Sequence, residues 1–143
     1  MTNPAVSLLA DLIRRPSVTP IEDGVLDVLE AFLSPLGFAC TRLKFEGDGS
    51  YPVDNLYATR KGNQPGPHLL FAGHTDVVPP GDATAWTHDP FSGIIVDGVM
   101  WGRGATDMKS GVAAFCGAVA QLAQTGALEH GTVSLAITNF FFF

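Results

Sequence analysis

The sequence has few cysteines, few basic residues and no long apolar run. Its two cysteines, Cys40 and Cys116, suggest no disulfide framework, so we expect a reduced, cytoplasmic setting. Eight lysines and arginines against 14 aspartates and glutamates give a net charge of −6, which argues against nucleic acid as a partner. No segment is apolar for long enough to cross a bilayer, and the N-terminus lacks the pattern of a secretory signal, so we expect no membrane partner.

What the sequence does contain is typical of one folded domain. Hydrophobic residues make up 46% of the 143 residues and charged residues 15%, which argues against disorder and allows a core of its own. Strand-like and helix-like segments alternate along the chain, which predicts an α/β fold. We predict helices at 4–13, 20–36 and 108–125, strands at 38–45, 53–60, 68–73 and 131–138, and a hairpin turning at 97–98.

Three details of this pattern are specific enough to be tested by a structure. Thr19, Pro20 and Glu22 resemble a capping box at the start of the second helix. The near-continuous apolar character of 68–73 predicts a strand that is buried on both faces. Residues 46–52 are expected to form a loop.

A histidine and an aspartate, His74 and Asp76, stand where the strand at 68–73 ends in a loop rich in glycine and proline. In an extended segment, residues i and i+2 point to the same side, so Asp76 should lie near the His74 ring. A metal-bound histidine commonly donates its other ring N–H to a carboxylate, and this pair suits that arrangement. A turn that is stabilised by an aspartate explains the same two residues, so the pair alone does not define a metal site.

A second group of candidate functional residues lies in WGRGATDMKSG, residues 101–111. Glycines at 102 and 104 allow a close approach of the backbone. Asp107 precedes a helix and is interpreted either as its N-cap or as a carboxylate ligand at a loop–helix junction; capping alone does not explain the surrounding glycines. Lys109 is poorly placed for the helix dipole, and we expect it to be solvated, with a separate role as the alternative.

The other candidates have simpler explanations. The remaining histidines, His68, His88 and His130, are expected at the surface or in turns, with a position at the border of a cleft as the alternative for His88. The large aromatic residues Trp86, Phe91 and Trp101 are expected to take part in ordinary aromatic packing, with the wall of a pocket as the alternative. No Gly-x-Ser-x-Gly elbow, P-loop or Cys-x-x-Cys motif supports a serine-hydrolase, nucleotide-binding or thiol-redox function.

Taken together, GHTDVVPPGDATAWTHDPF and DGVMWGRGATDMKSG resemble the M20 family of co-catalytic zinc amidohydrolases and peptidases. DLIRRPSVTP and VDNLYATR match as well, so the resemblance runs from about residue 4 to Thr138. It implies the N-terminal part of a zinc-peptidase-like catalytic domain, with a central mixed sheet flanked by helices. It also implies two zinc ions, for which cobalt can substitute. The implied reaction is hydrolysis of a small N-succinyl amino acid, N-succinyl-LL-2,6-diaminopimelate, in lysine and diaminopimelate biosynthesis.

The resemblance implies a role for three residues. His74 matches a ligand of one zinc ion, and Asp76 matches the catalytic residue that orients this histidine. Asp107 matches the carboxylate that bridges both zinc ions. In the family a cis peptide bond follows that aspartate, which here would join Asp107 to Met108.

The residues after Thr138 depart from the family pattern. The family has an acidic pair there, a glutamate that acts as general base and a second that binds zinc, whereas this sequence has Asn139 and then four phenylalanines. We interpret 1–138 as part of a catalytic domain and 139–143 as an aberrant tail. The sequence shows no counterpart of the family's inserted lid and dimerisation domain. The chain alone is therefore expected to be inactive and to lack the family's means of forming a homodimer.

Two alternatives to this interpretation stay open. The chain could be part of another M20 aminoacylase or carboxypeptidase, since side-chain specificity comes largely from the second domain. It could also be a non-catalytic module that binds a partner through its apolar tail, because an exposed apolar segment favours association.

Overall fold

The structure, a computed structural model, describes residues 3–47 and 49–139. Phenylalanines 140–143 lie outside the described residues, so the interpretation of the tail stays a prediction. None of the helices in the described part is long and apolar enough to cross a membrane. The helices are α1 (Pro4–Ile13), α2 (Val25–Leu33) and α3 (Ser110–Ala123), and the strands are β1 (Ala39–Gly47), β2 (Ser50–Lys61), β3 (Gln64–His74), β4 (Ile94–Val96), β5 (Val99–Trp101) and β6 (His130–Thr138).

Four strands form a mixed sheet in the order β1-β2-β6-β3. The pairs β1–β2 and β2–β6 are antiparallel, and β3 runs parallel to β6, as the predicted mixed α/β sheet requires. Strands β4 and β5 form a separate hairpin, and its turn residues Asp97 and Gly98 have φ angles of 49° and 80°, in agreement with the predicted turn. The loop predicted at 46–52 is shorter in the structure, because β1 and β2 extend as far as a pairing of Gly47 with Ser50.

The core lies between the three helices and one face of the sheet. Alternate residues of β2 and β6 point to this face, and Leu56, Ala58, Leu135 and Ile137 are buried there against the helices. The register places Leu56 beside Ile137 and Ala58 beside Leu135, so the two strands present one continuous apolar surface.

The prediction that β3 is buried on both faces was wrong. Within the described part of the chain β3 pairs only with β6, at the edge of the sheet. Leu69 and Leu70 are 59% and 51% exposed. Phe71 is the residue of this segment that packs inward, with its ring 4.7 Å from that of Phe115 on α3. Continuous apolar character does not distinguish a central strand from an edge strand, because the sequence of a strand does not show whether it pairs with other strands on one side or on both.

The predicted capping box at the second helix was also wrong. Helix α2 begins at Val25 with Gly24 as its N-cap. The Glu22 carboxylate accepts hydrogen bonds from the backbone N–H groups of Gly24 and Leu26, at 2.8 and 2.6 Å. Thr19 lies outside the helix, because its neighbour Val18 pairs with the segment that follows β3.

Helices α1 and α3 approach closely through small residues, as the sequence of α3 predicts. A Cβ atom added at Gly117 would lie 2.6 Å from the Cβ of Ala5. We expect Gly117→Val to push the helices apart and to lower the free energy of unfolding by about 2 kcal/mol. Ala118→Val, at the exposed next position, should change it by only about 0.5 kcal/mol. Urea denaturation of both variants measures the difference, and equal effects would contradict this account of the packing.

The two cysteines are free thiols in different environments. Cys116 is buried in the core, and burial raises the pKa of its thiol to about 12. Cys40 is partly exposed. We expect the folded chain at about pH 8 to take up one equivalent of a thiol reagent at Cys40, with Cys116 reacting at least about 10³-fold more slowly than in the unfolded chain because its thiolate is scarce.

Labelling before and after denaturation, followed by mass spectrometry, checks this difference between the thiols. A Cys40→Ser variant should take up no label while folded. Rapid labelling of Cys116 in that variant would show that the described burial is incorrect.

Candidate functional site

The predicted site residues His74 and Asp76 lie at the end of β3, beside the end of β6. His74 pairs with Thr138 in the register, and the backbone N–H of Thr75 donates to the Thr138 carbonyl at 3.1 Å. Asp76 is fully buried. Its Oδ1 lies 3.4 Å from His74 Nδ1, and its backbone oxygen lies 3.1 Å from the same nitrogen. The expected proximity of the Asp76 side chain to the His74 ring is therefore confirmed.

Asp107 reaches the same place from another part of the chain. It lies in an irregular turn at Ala105–Lys109, where its own backbone is extended, with φ −121° and ψ 104°. Helix α3 begins only at Ser110, so the interpretation of Asp107 as its N-cap was wrong. The Asp107–Met108 peptide bond is cis, as the resemblance implied.

The His74 ring lies between two carboxylates. Its Nε2 is 3.2 Å from Asp107 Oδ1, on the side away from Asp76. The Asp107 side chain is 74% exposed, whereas Asp76 is buried behind the ring. The arrangement gives His74 an acceptor at each ring nitrogen, one shielded from water and one open to it.

The geometry of His74 and Asp107 fits part of a metal site. Two ligands of a tetrahedral zinc ion, each bound at about 2.0 Å, are about 3.3 Å apart, and the distance from His74 Nε2 to Asp107 Oδ1 is 3.2 Å. No group of three His, Cys, Asp or Glu side chains that could hold a metal ion is found among residues 3–47 and 49–139. The described residues therefore bring together two side chains with the spacing of metal ligands, and a carboxylate behind one of them.

A cavity of about 230 Å³ opens beside this pair and is lined by His74, Asp76, Arg103 and Asp107 among others. The glycines of the 101–111 segment permit the close approach that the sequence predicts, but toward the protein interior. A Cβ at Gly104, whose φ is 80°, would lie 2.6 Å from Val77 Cγ1. This glycine therefore lets the segment pack directly on the loop that contains Asp76.

Lys109 is fully buried, so the expectation of a solvated lysine was wrong. Its Nζ donates to the backbone oxygens of Leu12 and Arg15, at 2.8 and 2.9 Å, and so ties the Asp107 turn to the end of α1. Burial lowers the pKa of this amine to about 8, against the opposing influence of Asp23 and Asp76.

Sequence reasoning missed two hydroxyl residues behind the site. Thr19 Oγ1 donates to Asp76 Oδ2 at 2.7 Å, and Ser17 Oγ donates to the Thr75 carbonyl at 2.7 Å. Both belong to the SVTP segment, which the resemblance includes, but nothing in the local pattern indicates that it lies against the end of β3.

None of the weaker candidates lines the cavity beside His74. His68 Nε2 is 2.8 Å from Ser134 Oγ on the sheet, and His88 packs edge-on against Trp101, with ring centroids 5.0 Å apart. His130 begins β6. Trp86 is held by a hydrogen bond from its indole N–H to the Pro80 oxygen at 3.0 Å.

The fold and the paired motifs define a class of protein. A family model described as peptidase family M20/M25/M40 matches residues 70–139, the region that contains His74, Asp76 and Asp107. The part of the chain that contains the candidate site therefore matches the M20 peptidase family, as the motifs predict.

Individual relatives and solved structures are also similar to this chain. The chain is 54% identical over 134 residues to a succinyl-diaminopimelate desuccinylase from Rhodospirillum centenum, a match that covers 94% of this chain and 34% of that protein. It is 52% identical over 139 residues to a protein of the same name from Rhodopseudomonas palustris, covering 96% and 35%. The chain thus spans about a third of the length of these curated relatives.

The fold is shared with an M20 family metallo-carboxypeptidase from Sulfolobus solfataricus. The two chains superpose with a TM-score of 0.77 at 24% identity, covering 95% of this chain and 30% of that one.

Proposed function

We propose that this chain supplies part of the zinc site of an amidohydrolase that cleaves N-succinyl-LL-2,6-diaminopimelate to succinate and LL-diaminopimelate. The observation that carries the proposal is the position of the His74 ring, with Asp107 Oδ1 3.2 Å from Nε2 and Asp76 on the opposite side. The likeness to two desuccinylases at 54% and 52% identity supports the choice of substrate.

Each of the three side chains has a separate task in this proposal. His74, through Nε2, and Asp107 would hold zinc, and Asp107 would be the carboxylate shared with a second ion. The backbone oxygen and the carboxylate of Asp76 face Nδ1, at 3.1 and 3.4 Å. An Nδ1–H that donates to them would leave the Nε2 lone pair directed toward Asp107 and the cavity. When bound, zinc polarises the amide carbonyl and lowers the pKa of a coordinated water.

The described residues are not sufficient for this chemistry. A catalytic zinc ion commonly takes three protein ligands, and the described part of the chain brings two together. We therefore expect a polypeptide of these 143 residues to hydrolyse the substrate negligibly, even with added zinc.

A chimera tests the proposed function. Residues 1–138 would replace the matching region of the Rhodospirillum centenum relative, to which the chain is 54% identical. We expect the chimera with zinc to hydrolyse succinyl-diaminopimelate at a rate close to that of the relative, because residues 1–138 would bring His74, Asp76 and Asp107 to the part of the site that the relative supplies.

A folded chimera that binds zinc but does not hydrolyse succinyl-diaminopimelate would contradict the proposed role of this segment. Turnover by the 143-residue polypeptide at a rate near that of the relative would contradict the proposal that its site is incomplete.

A further inference from the structure

We propose that Thr19 is a positioning residue for this site, whose hydroxyl fixes the Asp76 carboxylate in the orientation that faces His74. Thr19 Oγ1 donates to Asp76 Oδ2 at 2.7 Å, and the other carboxylate oxygen, Oδ1, lies 3.4 Å from His74 Nδ1. The inference rests on the proposed function in one respect, because it treats His74 as a zinc ligand.

The Asp76 carboxylate needs such an anchor. The residue is fully buried, and its Oδ1 makes no hydrogen bond of good geometry within the described part of the chain. The hydrogen bond from Thr19 therefore holds one oxygen while the other is left facing the imidazole. A rotation of the carboxylate would remove Oδ1 from Nδ1, since the contact is already at the outer limit of hydrogen-bond length.

Thr19 itself is held in place by its backbone. Ser17, Val18 and Thr19 run alongside the segment after β3, with Val18 and Val77 forming a parallel bridge. The Val77 N–H donates to the Ser17 oxygen at 2.9 Å, and the Thr19 N–H donates to the Val77 oxygen at 3.3 Å. These two hydrogen bonds join the backbone of Ser17 and Thr19 to Val77, the residue after Asp76. They therefore hold the Thr19 hydroxyl next to the Asp76 carboxylate.

A merely structural role for Thr19 makes a different prediction from a positioning role. A structural hydrogen bond affects stability alone, whereas a positioning hydrogen bond also changes the environment of the His74 ring. Ser17 offers a matched control, because its buried hydroxyl donates to the Thr75 carbonyl at 2.7 Å in the same segment but does not contact the Asp76 carboxylate.

The experiment compares Thr19→Val, Thr19→Ser and Ser17→Ala with the unchanged chain. The ring ¹⁵N resonances of His74 are recorded at one fixed pH without zinc, and then followed as Zn²⁺ is added. Thr19→Val is expected to shift the ring resonances and to weaken zinc binding by about tenfold, the lower end of the effect of losing the direct partner of a ligating histidine, because Thr19 acts through Asp76. Thr19→Ser should restore both properties, and Ser17→Ala should leave both close to those of the unchanged chain while lowering its thermal stability.

Unchanged His74 resonances in Thr19→Val, or equal changes in Ser17→Ala, would overturn the inference. If Thr19→Val does not give a folded spectrum, the smaller Thr19→Ala variant removes the same hydroxyl and is judged by the same criteria. If Zn²⁺ leaves the His74 resonances of the unchanged chain unaltered, the proposed metal site fails, and the zinc-free comparison still decides the role of Thr19.

Discussion

Replacing Asp107 by asparagine in the chimera is expected to lower kcat/KM for succinyl-diaminopimelate by roughly 10³-fold, beyond the effect of about 10–100-fold that is typical of an outer hydrogen-bond partner. Asparagine keeps the shape of the side chain but removes the negative charge beside His74 Nε2, which lies 3.2 Å from Asp107 Oδ1. A neutral amide oxygen is a weak ligand for zinc and cannot balance the charge of two cations.

The matched control for this substitution is Asp97→Asn, in the β4–β5 turn. Asp97 has a φ of 49°, a conformation that asparagine tolerates, so this variant should keep nearly full activity. Steady-state kinetics and the zinc content of the purified variants provide the measurement. An Asp107→Asn chimera with full zinc content and activity within tenfold of its parent would remove Asp107 from the proposed site.

Replacing Lys109 by methionine is expected to lower the free energy of unfolding by about 3 kcal/mol. Methionine fills most of the space of the lysine side chain but removes two hydrogen bonds from a charged donor, each worth about 1.5–3 kcal/mol. The loss is partly offset, because burial penalises the ammonium group, as its lowered pKa of about 8 shows.

Lys61→Met is the matched control, since Lys61 is exposed on β2. Its effect should stay within about 0.5 kcal/mol. Urea denaturation monitored by circular dichroism measures both variants. A Lys109→Met variant as stable as Lys61→Met would show that the bonds to Leu12 and Arg15 contribute little.

The parts of the fold that could be predicted are those determined by nearby residues. Helix α1 follows from its proline start and apolar spacing, and the β4–β5 hairpin follows from Asp97 and Gly98. His74 and Asp76 could be placed together because two residues of an extended strand point the same way. Asp107 was joined to them only by the family resemblance, since 33 residues separate it from His74.

The parts that could not be predicted depend on segments far apart in the chain. The Thr19 hydroxyl meets a carboxylate 57 residues away, and the Lys109 amine meets oxygens 94 and 97 residues away. The local sequence predicts a capping role for a threonine before a proline. It predicts a solvated position for a lysine at the start of a helix. Both expectations were wrong because the partner that decides each case is invisible in the neighbouring sequence.

The bonds from Lys109 to the end of α1 have a consequence for how the chain folds during translation. The backbone oxygen of Leu12 accepts a hydrogen bond from a lysine that is synthesised 97 residues later. At about 5–20 residues per second, that interval is roughly 5–20 seconds on the ribosome. Helix α1 is therefore synthesised long before Lys109, and a nascent chain halted ahead of Lys109 should leave the end of α1 without these two hydrogen bonds.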